Sequence, residues 1–585
     1  MGVTSISINP RVSLYRDTCN VYVLPSGAAE AILVDFGEGD VLDHLDELGI
    51  ERVTDVLLTH HHRDQLGGLQ RAVDAGIRVW APPSEVELIA GMDERWARRQ
   101  VANDYDLRED RFSLLESVPV TGAVAEYRTT RFGDLDIYAL PTPGHTIGSV
   151  TYLVELDGRR LAFTGDLVYG DGKVWSLAAT QWTYSGLEGW GATIVSASVL
   201  ADRDPDVLLP SHGGPVEQPA TSLSKLAQRM QSLIDLRDPL RWNVAERLRR
   251  PFDTITPHLL RNRTMFATNY VLLSETGAAL LIDFGYDVTT TASSTERAAR
   301  RTLLWSLDGL RRDYGVERID AAIVSHYHDD HVAGLNLLRA VEGAAVWAPE
   351  NVAPILEQPE RYDLPCLWFD PIPVDRRIPL GEPFRWHEHE LTVYPLPGHT
   401  HYAAAISFEV DGTRILVTGD QQTDDGARSI LNYQYRNRFV PQDFAASAEL
   451  YRRLRPDLLL GGHWLPLAVT DDLLFRLGTD AQRLGELHDE LLPDEGFGTA
   501  GFGARIEPYR SRPGTTEFTV FVRNPFERAE TATIGFAGEQ RTIELGPKGE
   551  AAVTFVVTSE APRRLAADLT VGSARFGQQA EAIVE

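Results

Sequence analysis

At 585 residues the chain is longer than one hydrophobic core organises, so three domains of about 100–250 residues each are expected. With 84 acidic against 56 basic residues and a net charge of -28, its surface repels nucleic acid and anionic membrane, whose phosphates need clustered Lys and Arg. No apolar run approaches the roughly 18–20 residues that cross a bilayer, and residues 1–10 have neither a basic start nor a long apolar stretch. Neither a membrane span nor a signal peptide is expected. The only two cysteines, Cys19 and Cys366, form no disulfide framework and no CxxC knuckle, which fits a reducing cytoplasm. The basic residues are almost all Arg, in keeping with the codon bias of a GC-rich, bacterial genome.

In chain order, the first segment is VLPSGAAEAILVDFG, a strand-like run ending at Gly37 and carrying Asp35. LLTHHHRDQLGGL follows from Leu57, then VWAPPSE from Val79 and YALPTPGHT with His145. RLAFTGD ends on Asp166, after Asp157-Gly158, a two-residue hairpin signal; LLPSHGG then brings His212. A helical pattern covers Ser222 to Leu236, and all of these segments then recur in the same order. LLSETGAALLIDFG ends at Gly285 and carries Asp283, IVSHYHDDHVAGL starts at Ile323, and VWAPENV starts at Val346. VYPLPGHT brings His399, RILVTGD brings Asp420 after the turn at Asp411-Gly412, and LLLGGH ends on His463. The separation of His145 from Asp166 is repeated residue for residue between His399 and Asp420. The main difference is an insertion around Ser294 to Tyr314, charged and helix-patterned.

The expected domains are therefore 1–240, 250–495 and 500–585, the first two α/β. The last has strand-like runs at Thr516–Arg523, Glu530–Phe536, Gln540–Leu545 and Ala551–Val557, which suggest a small immunoglobulin- or fibronectin-like β-sandwich after a glycine-rich linker. The tail Asp472 to Leu492 reads as a covering helix.

The apolar run before His326 places the histidines where a buried strand opens into a loop. Imidazoles two apart can converge there on one cation, while Asp330 and His331 face a second. Zinc takes His nitrogen and Asp oxygen readily, and a catalytic site leaves a position open for water. Two metals about 3.5–4 Å apart can share a hydroxide and clamp the developing charge.

Together, HxHxDH, a later Gly-His-Thr, a Thr-Gly-Asp after a hairpin and a final Gly-His or Ser-His resemble the metallo-β-lactamase superfamily, most of all its glyoxalase II-type hydrolases. The resemblance spans approximately residues 1–235 and 255–470. It implies two tandem αββα sandwiches with metals at one edge of the paired sheets, followed by the all-β sandwich. It further implies that His326, His328 and His399 hold one metal and Asp330, His331 and His463 a second, with Asp420 bridging. In the first copy His60, His62 and His145 match the first set, Asp64 and His212 the second, and Asp166 the bridge. Asp35 and Asp283 match an early Asp that supports the site from behind.

Two departures stand out. Gln65 occupies the position of His331, and its neutral amide oxygen is a weaker ligand than imidazole. The first copy is therefore expected to hold one metal, with a second weakly held or absent. In the second copy, His401 and Tyr402 replace the small residues that follow Gly-His-Thr in the first, which reshapes the pocket. The aromatic stretches Tyr169, Trp175, Trp182 and Tyr184, and Tyr433 and Tyr435 with Arg436 and Arg438, either contact substrate or pack the loops. His44, His258, His387 and His389 match no motif and read as structural.

The resulting expectation is a hydrolase with two zinc ions in the second domain (iron or manganese as alternatives), whose metal-bound hydroxide attacks an ester, thioester, lactone or amide, with Asp330 orienting the nucleophile. The substrate is expected to be a small molecule, and the two copies are expected to pack as an internal pseudo-dimer. The rivals are a phosphodiesterase or nuclease on the same fold, a flavin-coupled di-iron oxidoreductase lacking its flavodoxin domain, and a non-catalytic metal-binding scaffold.

Overall fold

The runs EAILV, RVTDVL and RVWA carry apolar residues on both faces, as parallel strands covered on each side do. In the computed structural model, which describes residues 11–98, 109–182, 187–237, 243–287, 304–424, 429–493, 495–500 and 502–585, they pair in that way. Glu30–Val34 lies parallel to Arg52–Leu57, which lies parallel to Arg78–Ala81. Antiparallel Asn20–Pro25 and Ser13–Arg16 extend this sheet on one side. A second sheet runs antiparallel through Arg128–Phe132, Leu135–Pro141, Val150–Leu156 and Arg159–Gly165, and Val207–Pro210 joins it parallel. The expected turn closes one hairpin: Asp157 and Gly158 both have positive φ, 53° and 73°, as a type I′ connection requires.

Three apolar layers define the order of packing. Leu14, Tyr22, Ile32 and Val34 meet Ile137, Tyr152 and Phe163 between the sheets. Leu66, Leu69, Leu88 and Ile89 cover the outer face of the first sheet. Helices Glu188–Asp202 and Pro219–Arg237 cover the other, through Ile194, Leu200, Leu223 and Met230. The result is an αββα sandwich.

The second copy repeats it. Ala278–Ile282, Arg318–Ile323 and Ala345–Pro349 are parallel, and His389–Pro395, Ala404–Val410, Thr413–Gly419 and Leu458–Gly461 form the facing sheet. Leu272, Leu280 and Ile323 pack against Val393, Ile406 and Val417 between them. Helices Gln442–Leu454 and Asp471–Leu491 cover the facing sheet, the latter matching the expected covering helix.

The C-terminal region is all β. Its four expected strands appear as Gly514–Arg523, Glu530–Phe536, Glu539–Leu545 and Glu550–Ser559. Arg563–Val571 and Ala574–Val584, which were not expected from the sequence, form the strand pair that completes the larger sheet. Arg, Ala and Gln dilute the β-branched signal there, although Leu565, Ala567, Leu569 and Val571 alternate inward.

The chain divides into two compact units, one of residues 1–252 with 286–314 and one of residues 253–285 with 315–585. The sandwich thus belongs to the same unit as the second copy. Of the insertion, helix Trp305–Tyr314 groups with the first unit, where Trp305 packs near Ile234 and Leu248. Residues 294–303 lie outside the described residues. No helix among the described residues is long and apolar enough to cross a membrane.

Leu280 is fully buried between the sheets of the second copy. Leu280→Ala is expected to lower the stability of that unit by about 2–5 kcal/mol in urea unfolding, the usual consequence of a core cavity. A loss below about 1 kcal/mol would show that the two sheets are not closely packed there.

Candidate metal centres

Every motif histidine and carboxylate leaves the carboxyl end of a strand, the position where crevices open in α/β sheets. His60 and His326 follow Arg52–Leu57 and Arg318–Ile323 by a few residues, while Asp166 and Asp420 directly follow Arg159–Gly165 and Thr413–Gly419. Among the described residues four groups bring one ligand atom from each member within 4.8 Å of the others. In the second copy they are His326, His328, His399 and Asp420, and Asp330, His331, Asp420 and His463, sharing Asp420. In the first they are His60, His62 and His145, and Asp64, Asp166 and His212. All thirteen residues singled out from the sequence fall in one of these groups, and Gln65 lies beside them.

Backbone geometry holds the early Asp in place. Asp35 and Asp283 both adopt left-handed φ, 59° and 57°, uncommon for a side chain with a Cβ. That turn aims each carboxylate back at the residue before the first histidine. Asp283 accepts from Ser325 N and Oγ, both at 2.7 Å, and Asp35 accepts from Thr59 N at 2.9 Å and Oγ1 at 3.0 Å. The same hydroxyls accept from the next imidazole, Ser325 Oγ from His326 Nδ1 at 3.0 Å and Thr59 Oγ1 from His60 Nδ1 at 2.9 Å. With Nδ1 protonated in this way, Nε2 of each ring presents a lone pair to the cluster. Both Nε2 atoms are buried without a hydrogen-bond partner.

The second copy is complete. His399 Nδ1 donates to the Asn432 carbonyl at 3.0 Å, and its Nε2 stands 3.2 Å from His328 Nδ1. His331 Nδ1 donates to Asp283 at 2.8 Å, which turns Nε2 toward Asp420 Oδ1 at 3.3 Å. His463 Nε2 lies 3.2 Å from both Asp330 and Asp420. Gly462 makes the approach possible, because a Cβ there would come within 2.0 Å of Asp420 Oδ1.

Electrostatics divides each centre. Burial, aided by neighbouring imidazoles, holds His326 well below the ordinary histidine range and His328 down at about 3, so these rings are neutral ligands. At His331 burial acts the same way but is overcome by Asp330, Asp420 and Asp283, which raise it well above that range. His463 likewise rises to about 10, Asp420 and Asp330 outweighing burial. The Asp-rich half therefore favours positive charge.

The first copy keeps one half and has changed the other. His62 Nδ1 and His145 Nε2 are 2.9 Å apart, and Asp166 Oδ2 lies 3.7 Å from His60 Nε2 and 3.5 Å from His145 Nε2. At the other half, Gln65 Nε2 donates to Asp166 at 3.2 Å, while its Oε1 is buried without a partner. Asp35, with no histidine to face, is bound by Ser211 and Thr59, and burial still raises it to about 7. The Trp175 indole lies flat on His212, with centroids 4.1 Å apart and planes 3° apart.

These donor sets fit divalent metal. Buried imidazole nitrogens without hydrogen-bond partners, and Asp420 Oδ1 in the same state, are positions that a cation satisfies.

Several expectations resolve here. Tyr433 and Tyr435 pack on Phe439, Phe444 and His488. Trp182 is buried beside Ile147 and donates to the Gly144 carbonyl at 3.2 Å, and Tyr184 lies outside the described residues. His44, His258, His387 and His389 pair with Glu47, Asp411, Asp320 and the Leu273 carbonyl, away from the clusters. Residues that the motifs did not bring forward include His61 and Glu85 in the first copy and Gln421 and Asn437 in the second. Gln421 Oε1 accepts from His399 N at 3.0 Å. His61 and Tyr327 occupy the variable position between the paired histidines, and that difference was the available signal.

The model of the metallo-beta-lactamase superfamily matches residues 14–212 and 263–463, together more than half of the chain. The uncharacterized protein YobT of Bacillus subtilis is 25% identical over 203 residues, 32% of this chain and 79% of that protein. A hydroxyacylglutathione hydrolase of Shewanella sp. (strain ANA-3) is 27% identical over 162 residues, 26% of this chain and 49% of that enzyme. Among solved structures, the DIM-1 metallo-beta-lactamase matches with a TM-score of 0.30 at 16% identity, over 40% of this chain and 96% of that one. The metallo-beta-lactamase family protein TTHA1429 of Thermus thermophilus matches with a TM-score of 0.31 at 20% identity, over 39% of this chain and 82% of that one.

Gln65→His restores the imidazole for which Asp35 is already placed. The variant is expected to bind one more metal per chain than the parent, counted by elemental analysis after dialysis, whereas Gln65→His with Asp35→Asn is expected to bind it on the order of tenfold or more weakly. Unchanged metal content in Gln65→His would mean that Trp175 over His212, rather than the missing ligand, keeps the second metal out.

Proposed function

Because the chain belongs to the metallo-beta-lactamase superfamily and carries its domain twice, we propose that it is a metal-dependent hydrolase of small-molecule carbonyl substrates (an ester, thioester, lactone or amide) whose turnover resides in the second copy. One observation carries the assignment: among the described residues, only there do two four-donor groups share a carboxylate, Asp420. The ligand roles follow from it, with His326, His328 and His399 on one metal, Asp330, His331 and His463 on the other and Asp420 between them. The first copy takes a single metal through His60, His62, His145 and Asp166. The three-part division into 1–240, 250–495 and 500–585 belongs to the same reading, with each domain carrying its own core.

When bound, the pair of metals supplies Lewis acidity that polarises the carbonyl and makes water nucleophilic near neutral pH. The rest is done by side chains. Asp330, about 15% exposed against 9% for Asp420, would take the proton of the attacking water on Oδ2. That proton would then pass from Asp330 to the leaving oxygen, sulfur or nitrogen as its bond to carbon breaks, while His463, whose Nδ1 donates to the Phe266 carbonyl at 3.3 Å, keeps Nε2 for the metal. Asp283 fixes the ring plane of His331, and Asn432 that of His399, so that the donor set needs little rearrangement as charge develops.

The name of the Shewanella relative, a hydroxyacylglutathione hydrolase, supports a thioester as the first substrate to test. His331→Ala is expected to lower kcat/KM on the best ester or thioester by more than about a hundredfold, beyond what losing an outer partner does. His60→Ala should leave most of the activity, and exhaustive chelation should remove it. Activity that survives His331→Ala but disappears with His60→Ala would move turnover to the first copy. Turnover of phosphodiesters alone would replace the carbonyl substrate.

A further inference from the structure

In each copy the three histidines of one group come from two loops, the His-x-His loop and the Gly-His-Thr loop, and something must fix one against the other. In the first copy that role falls to Glu85, a carboxylate 1% exposed. It accepts from His61 N at 2.9 Å and from His61 Nδ1 in one loop, and from Thr146 Oγ1 at 2.8 Å in the other. In the second copy the aligned residues cannot do this, because Tyr327 stands for His61 and Val352 for Glu85. Asn437, 2% exposed, takes over. Its Nδ2 donates to the His399 carbonyl at 2.9 Å, its own carbonyl accepts from His401 N at 2.9 Å, and its Oδ1 accepts from Tyr327 OH at 3.2 Å. Both loops are thus clasped by one amide that comes from a segment outside either sheet.

The next two residues of that segment are fastened to the C-terminal sandwich. Arg438 adopts a left-handed φ of 63°. Its guanidinium donates to Tyr402 OH at 2.9 Å and pairs at 3.5 Å with Glu507, on the sandwich strand Ala504–Glu507. The Phe439 carbonyl accepts from Thr499 Oγ1 at 2.8 Å, in the linker that leads into the sandwich. Nearby, Tyr509 N donates to the Arg361 carbonyl at 2.9 Å, on the segment leading to Tyr362, whose ring faces Tyr402. Asn437, Arg438 and Phe439 therefore form a three-residue link with the ligand loops at one end and the sandwich at the other.

We propose that the C-terminal β-sandwich acts as a brace for the second metal centre, with Asn437 as the positioning residue and the Arg438–Glu507 pair as its anchor. The first copy, clasped from within by Glu85, needs no such brace. The inference rests on metal binding by the second copy and not on what that copy hydrolyses, so a readout of metal affinity separates the two.

The test uses the full-length chain with His60→Ala and His145→Ala, so that bound Co2+ reports the second copy alone. Its affinity is measured by competition with a chelator, and its ligand field by visible absorption. Asn437→Ala is expected to weaken binding on the order of tenfold and to shift the spectrum, as loss of a group behind a ligand does. Glu507→Ala should move both readouts in the same direction by a smaller factor. The double variant should be no weaker than Asn437→Ala alone, since the anchor acts only through the clasp. Glu507→Ala in the chain with an intact first copy and with His326→Ala, His331→Ala and Asp420→Ala, which disable both metal positions of the second copy, should leave Co2+ binding by the first copy unchanged. Unaltered affinity and spectrum in Glu507→Ala with the sandwich folded, additive losses in the double variant, or equal weakening of both copies would overturn the proposal. Failure to hydrolyse any substrate, with these shifts as expected, would overturn the hydrolase assignment and leave the brace standing.

Discussion

A buried carboxylate at the end of a parallel strand needs a donor or a cation, and the two copies satisfy that requirement differently. Asp283 meets it with Ser325 and with His331, whose second nitrogen is thereby turned into the cluster. Asp35 meets it with Thr59 and Ser211, neither of which carries a cation. The left-handed backbone at both positions is a strain that only this network would compensate, and it recurs at each Asp-Phe-Gly segment. From this one contact follow the orientation of His331, the pairing of Asp420 with two imidazoles and the sharing of that carboxylate between two groups.

In the first copy the consequences run the other way. Gln65 can hydrogen-bond Asp166 but contributes no charge, so the Asp64 and Asp166 half loses an imidazolium or a ligand at one stroke. Burial then lifts Asp35 to about 7 and raises Asp64, with Asp166 adding to the second. Trp175 covers what remains, stacked on His212. One substitution at the position of a ligand thus alters the carboxylate behind it, the carboxylate beside it and the aromatic above it.

Much of this could be read from the residues. The parallel strands are apolar on both faces, the hairpins announce themselves by Asp-Gly, and the donor residues sit at strand ends in an order that repeats. The departure at Gln65 was visible for the same reason, since a repeat supplies its own comparison. Longer-range features were hidden. Glu85 lies 24 residues from His61 and Asn437 lies 38 from His399, and neither carries a local signal, because their partners are set by which loops the fold brings together. For Tyr433 and Tyr435 the sequence left substrate contact and loop packing both open; they pack against His488 on the covering helix, a contact no periodicity reveals. The last two strands escaped notice because Ala and Arg blunt the strand signal, although the inward alternation was present.

On the proposed reading the altered first copy still holds a metal. A site that had lost its cation for good would still bury His60, His62, His145 and Asp166, with His60 Nε2 and His145 Nδ1 lacking any hydrogen-bond partner, each such atom costing about 1–3 kcal/mol. Apolar residues of similar volume would remove that penalty and pack the crevice. Instead, Glu85, itself a buried carboxylate, is retained to hold the two histidine loops in register. Such an arrangement becomes favourable when a cation joins the three imidazoles, in keeping with the proposal of one metal in the first copy.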